Sequence, residues 1–462
     1  MSHLQPLGWM IGISSLILFA ASSLRHALFQ STALDLAVFD QWIYLASQGL
    51  QPISSFFGFH LLGDHAAFIL YAIALLYKIY PNVHWLFAVQ ALALAVGAVP
   101  IYALSLQSGL NITYARAISL SYLLYPALFN INFFTDFRPE AIAVPALLWA
   151  MWAGIAGRIG QLMFAVILAL SCKDILSLTV IALGLWLWLI QHRRWYGLGC
   201  IFIGTAWYLI TIVYLVPLLR SGQAGGVIFY RSLGDSPKQI LWNIITNPSL
   251  IAGKFFVLDT ILYYFLLILP VIIGLHWRKI AVILPALPML LLNILSDYWA
   301  QRDLIHHYSL LIFPFIIVWL IKSISYYQQH NKRLWLKPKI LIICSIIAFL
   351  LLAKYEFFVT RYLSSLPNLR SLYTAVSLVQ PEGGILTTSR IAPHVSQRPM
   401  VKLTDINLDL LPKSDNAFKY ILLDANTNNK REFSSTFINQ LQINKDFRLT
   451  YKQDNIYLFT KQ

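Results

Sequence analysis

Long apolar runs recur along this chain at 7–24, 84–106, 114–131, 139–157, 196–219, 255–275, 280–296, 305–321 and 340–353. A bilayer core of roughly 30 Å takes about 20 apolar residues in a helix, so each run predicts a membrane span. Two segments are ambiguous. "AAFILYAIALLYKIY" at 66–80 is short for a span, and the run 162–190 is interrupted by Cys172, Lys173 and Asp174. Read as one helix, 162–190 rises about 43 Å, which overshoots the hydrocarbon, so we split it at Lys173-Asp174. From about residue 355 the pattern changes. "GGILTTS", "MVKLTD", "KYILLDA" and "NIYLFTK" are short strand-like runs between turn residues. The expected fold is mainly α: a polytopic membrane domain over 1–354 with about eleven spans, followed by a small soluble α/β domain over 355–462. The stretch "SGQAGGVIFYRSLGDSPKQ" reads as a sizeable loop between late spans.

Composition supports a membrane protein. The 462 residues are 58% hydrophobic and only 11% charged, with a mean hydropathy of +0.66, far from soluble composition. Thirty-four Lys and Arg against 19 acidic residues point to topology and lipid headgroups as partners, and no nucleic-acid module is present. Cys172, Cys200 and Cys344 show no paired spacing, which argues against a disulfide framework or zinc site. The N-terminal apolar stretch lacks a basic n-region and reads as an uncleaved first helix.

Basic clusters orient the spans. Arg193 and Arg194, Arg278 and Lys279, and Lys332, Arg333, Lys337 and Lys339 fall inside by the positive-inside rule, with Arg116 and Arg158 beside them. With 66–80 on the surface and a turn at "CKD", the N-terminus is cytoplasmic and the C-terminal domain lies on the outer face of the plasma membrane. The competing count makes 66–80 a span and 162–190 a single helix, and charge alone leaves it open.

The eleven-span topology gathers polar residues on one face. Asp35 follows Ser31 and Thr32, where a helix N-cap is as good a reading as a catalytic carboxylate. Asp40 shares one side of a helical wheel with Tyr44, Ser47 and Gln48, a position suited to accepting a proton from a substrate hydroxyl or to plain solvation. In "FHLLGDH", His60 and Asp64 meet at i, i+4 if helical, and with His65 they suit a divalent metal, although loop histidines are more often interfacial polar groups. "TDFRPE" opens a span with Pro139 and Glu140 in its first turn and Asp136 as a candidate cap. Arg138 is left over, and its guanidinium suits a phosphate. Lys173-Asp174 is a charged pair in apolar sequence, either functional or a neutralised hairpin. Arg302, His306 and His307 precede another span, where they neutralise phosphate or sit at headgroups.

The motif order "DLAVFDQ", "GDH", "YPALFNINFFTDFRPEAIAVP", "CKD" and "HHYSLLIFPF" resembles a family of uncharacterised polytopic membrane proteins of bacteria and archaea carrying a domain of unknown function. In plan it is similar to the GT-C class of glycosyltransferases. Protein mannosyltransferases of that class carry a "DE" pair in the first outer loop; the matching residues here are Asp40 and Gln41, and Asp64, His65, Ala66 and Ala67 replace the His-Pro-Pro segment.

The resemblance implies transfer of a sugar, or a related group, from a polyprenyl-phosphate carrier to an acceptor on the outer face. Asp40 is then the candidate base, with Asp35 the second carboxylate. The candidate substrate-binding set is Arg138, Glu140, Asp136, Lys173, Asp174, Arg302, His306 and His307. The rival classes are a transporter with a midplane ion site at Lys173-Asp174 and a non-catalytic membrane scaffold.

Overall fold

The computed structural model describes residues 4–220, 225–333, 335–404, 418–426 and 435–462. They form two compact units: one holds residues to Ala20, Leu62–Ile69 and Phe87–Lys354, the other Ala21–Leu61, Leu70–Leu86 and Tyr355–Gln462. The unit containing the C-terminal domain thus takes in the first polar segment as well.

Among the described residues of the chain, six helices are long and apolar enough to cross a membrane. They become seven if Pro248–Phe255 and Leu258–Gly274, bent by 53°, are one broken span. Ile69–Ile79, Glu140–Ala156, Ile159–Leu170 and Leu176–Leu189 are apolar but shorter. The expected count of eleven is therefore not reached by length and hydropathy, because several apolar runs fold as interrupted helices. The interruption at "CKD" falls between Ile159–Leu170 and Leu176–Leu189. Ile69–Ile79 has 11 residues, about 16 Å of helix, too short to cross alone. The stretch read as a loop at 221–239 is partly helical, with a 3-10 turn at Gly225–Tyr230 and a helix Pro237–Thr246 capped by Ser236; residues 221–224 lie outside the described residues.

In the first unit, Leu176–Leu189 and Arg194–Tyr208 pack backbone to backbone. A Cβ on Gly184 would come within 2.6 Å of the Gly197 carbonyl oxygen, so only glycine permits this approach, as in other tightly packed membrane helices.

The second unit is built on a five-stranded sheet of order β2-β1-β3-β5-β4, with β1 Gly384–Thr387, β2 Val401–Leu403, β3 Phe418–Asp424, β4 Phe447–Gln453 and β5 Ile456–Lys461. β1 pairs in parallel with β2 and β3, and β5 runs antiparallel to β3 and β4. Strand alternation sends Tyr420 and Leu422 to one face and Ile421 and Leu423 to the other. The second face is covered by Phe437, Ile438 and Leu441. The first is covered by Leu372 and Ala375 and by Phe29, Ala33 and Ala37 of the first polar segment. That segment is part of the domain core.

Candidate functional site

Asp40 lies in the helix Val38–Ser47 and is 1% exposed. Tyr77 Oη donates to its Oδ1 at 2.6 Å, Ser396 Oγ to its Oδ2 at 2.6 Å, and Gln397 Nε2 to its Oδ1 at 3.2 Å. Burial raises its pKa above the ordinary carboxylate value, while the bonds from Ser396, Tyr77 and Gln397 pull the other way. Asp40 is thus closed over by donors from distant sequence, which sets aside the reading of it as a plainly solvated residue. Gln41 is fully buried next to it. Its Nε2 donates to Ser55 Oγ at 2.7 Å and to the Arg398 carbonyl at 3.0 Å, and its Oε1 accepts from the Ser55 amide at 3.0 Å. Ser55 Oγ in turn donates to the Val401 carbonyl at 2.7 Å. An amide, which donates and accepts, fits this place; a carboxylate does not.

Asp35 is not an N-cap. Thr32 holds that position ahead of the π-helical turn Ala33–Ala37, and Thr32 Oγ1 donates to Asp35 Oδ2 at 2.8 Å. His60 is not helical either. It bridges Ile53 as an isolated β-pair and stands edge-on to Trp42 at 5.6 Å. Asp64 and His65 belong to the other unit, where Asp64 pairs with His65 at 3.1 Å and with Arg220 at 2.8 Å. No group of three His, Cys, Asp or Glu among the described residues has metal-holding geometry, so the metal set His60, Asp64 and His65 gains no support.

In the first unit, Lys173 Nζ donates to Glu140 Oε1 in a short ion pair. Arg138, Lys173 and His65 all lie within electrostatic reach of Glu140. Arg138, Lys173, His65 and His306 likewise lie within electrostatic reach of His307, a half-buried residue whose Nδ1 is itself buried and unbonded among the described residues. Four stretches of sequence thus bring Glu140 and five cationic or protonatable side chains together, with Asp64 paired to His65 and Asp303 to His306. Asp174 is next to them: burial raises its pKa, and His65 and Lys173 partly offset that. Its amide donates to the His65 carbonyl at 3.0 Å, which fixes the "CKD" break against "GDH". His306 Nδ1 lies 2.7 Å from Asp303 Oδ2.

Two expected members sit differently. Arg302 Nη1 donates to the Ser296 carbonyl at 2.5 Å, with longer contacts to the Asn293 and Ile294 carbonyls at 3.4 Å, so it closes the C-terminal end of Leu287–Leu295. Asp136 is buried in a left-handed conformation, φ 55°, and offers its carbonyl to Gln90 Nε2 at 2.5 Å. The helix Glu140–Ala156 has no side-chain cap. Gln90 organises its entry instead, accepting from the Arg138 amide at 2.7 Å. Tyr77, Ser396, Gln397 and Gln90 carried no sequence signal, since each is an ordinary polar residue in apolar or loop sequence.

A family model described as a predicted membrane protein, DUF2079, matches residues 25–458. The chain belongs to the DUF2079 family. No curated protein matches it. Among solved structures, this DUF2079 chain is similar to ArnT from Cupriavidus metallidurans bound to undecaprenyl phosphate, with a TM-score of 0.54 at 10% identity over 99% of this chain and 98% of that one. The apo ArnT structure gives a TM-score of 0.51 at 11% identity, with the same coverage. A third likeness, to the Archaeoglobus fulgidus oligosaccharyltransferase, covers 88% of this chain and 68% of that one at 11% identity, but its TM-score of 0.37 lends nothing to the fold assignment. The fold is ArnT-like.

Proposed function

We propose that the protein is an integral-membrane glycosyltransferase that takes a sugar or related group from a polyprenyl-phosphate carrier and passes it to an acceptor on the outer face. The observation that carries this reading is the pairing of Lys173 with Glu140, with Arg138 and His65 in electrostatic reach of Glu140 and all three cations, with His306, in reach of His307. Such a group suits a phosphate ester, whose negative charge grows as the glycosyl bond breaks. Lys173 can then exchange Glu140 for the phosphate, and Arg138 can offer a planar fork of donors. The similarity to an ArnT structure that holds undecaprenyl phosphate supports the carrier class. Asp40 supplies the base in this proposal. Its raised pKa suits proton uptake, and Gln397, at 3.2 Å the longest of its three contacts, is the one an acceptor hydroxyl replaces. The basic loops at 193–194, 278–279 and 332–339 support a plasma-membrane orientation with the N-terminus inside and the domain 355–462 outside.

The test is turnover by the purified full chain across a panel of labelled polyprenyl-phosphate sugars, scored by release of the free polyprenyl phosphate. Binding without release supports a carrier-binding protein that is not a transferase, and neither binding nor release across the panel defeats the proposal.

A further inference from the structure

A groove of about 590 Å³ runs among apolar side chains of the first unit, including Leu269, Ile273, Ile347 and Leu351, with Arg333 and Trp335 also lining it. Arg333 is held in place. Its Nη1 donates to the Ile273 carbonyl at 2.7 Å, and its guanidinium lies 4.8 Å from the centre of the Tyr327 ring. Arg333 and nearby Asn331 both adopt left-handed backbone, φ 48° and 51°, a conformation side-chain-bearing residues rarely keep unless their surroundings impose it.

Three more cations crowd this place. Arg278 Nη1 donates to Tyr326 Oη at 3.2 Å, and Lys279 and Lys332 Nζ lie 5.1 and 5.8 Å from the Tyr326 ring centre. Burial, and then Arg278, Arg333, Lys332 and Lys279, hold the His276 imidazole below its ordinary pKa. Among the described residues no carboxylate pairs with any of the four cations. Trp277 and Trp335, 72% and 52% exposed, are the amphipathic aromatics that favour the headgroup level. Four uncompensated cations beside an apolar groove complement a ligand with an anionic head and a hydrocarbon tail.

We propose that this groove is a binding site for an anionic phospholipid, one acyl chain lying along Leu269, Ile273, Ile347 and Leu351 and the phosphodiester resting on Arg333, flanked by Lys332, Arg278 and Lys279. The site uses none of the residues assigned to the polyprenyl phosphate, so either proposal can fail without the other.

The experiment is delipidation of the full chain in detergent, then titration with phosphatidylglycerol or phosphatidylcholine, read by native mass spectrometry. Phosphatidylglycerol should bind selectively, and Arg333→Gln and Lys332→Gln should each weaken it by about fivefold, the effect expected of one basic residue near a membrane surface. Lys279→Gln, whose amine makes no hydrogen bond among the described residues, repeats the test should the other variants fold poorly. Cys344→Trp, which fills the groove without changing charge, should weaken both lipids. Equal binding of the two lipids by the parent overturns the proposal, as does unchanged binding in Cys344→Trp. Displacement of phosphatidylglycerol by an equal concentration of glycerol phosphate also overturns it, because the occupant is then a free anion.

Discussion

Ser396 donates its hydroxyl hydrogen to Asp40 at 2.6 Å across 356 positions of sequence. With Tyr77 it makes the candidate base part of the interior of the unit that carries the C-terminal sheet. Burial and reactivity can therefore be separated by substitution.

Asp40→Asn keeps shape while removing charge. Since burial raises the Asp40 pKa above 3.8, the protonated form is the one folding favours. The stability it contributes is complete at pH values below the ordinary carboxyl range and is lost as pH rises through the raised value. Asp40→Asn should therefore melt no lower than the parent at neutral pH and should lose that pH slope, while transfer falls by roughly 100-fold or more. Asp40→Ala should also lower stability by on the order of 2 kcal/mol, because it strands the buried Tyr77 hydroxyl. Thermal melting and turnover on the same preparations decide; full turnover in Asp40→Asn removes it as the base.

Gln41→Glu restores the acidic pair of the mannosyltransferases and should nevertheless damage this protein. It sets a second buried carboxylate against the Arg398 carbonyl in place of an amide donor, at a cost of about 3 kcal/mol. A melting temperature equal to the parent's contradicts the tie described here.

Arg138→Lys should weaken binding of a polyprenyl phosphate by about 1.5–3 kcal/mol, since the ammonium loses the planar fork. Arg302→Lys should leave that affinity intact and lower the melting temperature, because Arg302 serves the carbonyls at the end of Leu287–Leu295. Equal loss of affinity in both variants would return Arg302 to the clamp.

Orientation can be checked with single cysteines in a chain whose three native cysteines are serines. Arg390→Cys, on an exposed turn of the C-terminal domain, should react with an impermeant thiol reagent in intact cells. Gln329→Cys, at the exposed end of Phe313–Gln329, should react only after lysis. The reverse pattern inverts the topology.

Much of the architecture was legible because it follows from local pattern. The "CKD" break is visible as two charges in a run too long for one bilayer crossing, and four strands stand out as apolar runs between turns. β4, Phe447–Gln453, escaped because it is an edge strand with mostly exposed side chains, which blunts the alternation that marks a buried strand. The count of eleven spans is not confirmed, because proline and charge break several apolar runs into shorter helices. The environment of Asp40 was not legible at all. Tyr77, Ser396 and Gln397 reach it through tertiary folding, and helical periodicity can show that a stripe is polar without showing what covers it.

The placement of Phe29, Ala33 and Ala37 against the strands at 385–458 also fixes an order of assembly. A ribosome makes these residues before their partners, so the first polar segment must wait, with its apolar face uncovered and Asp40 in contact with water, while the spans between are synthesised and inserted. The unit can seal only when β5, Ile456–Lys461, has slotted between β3 and β4. Chains cut short before Ile456 should therefore carry their spans into the membrane yet leave the opening segment open to protease, so that completion of the last strand acts as a checkpoint on the first.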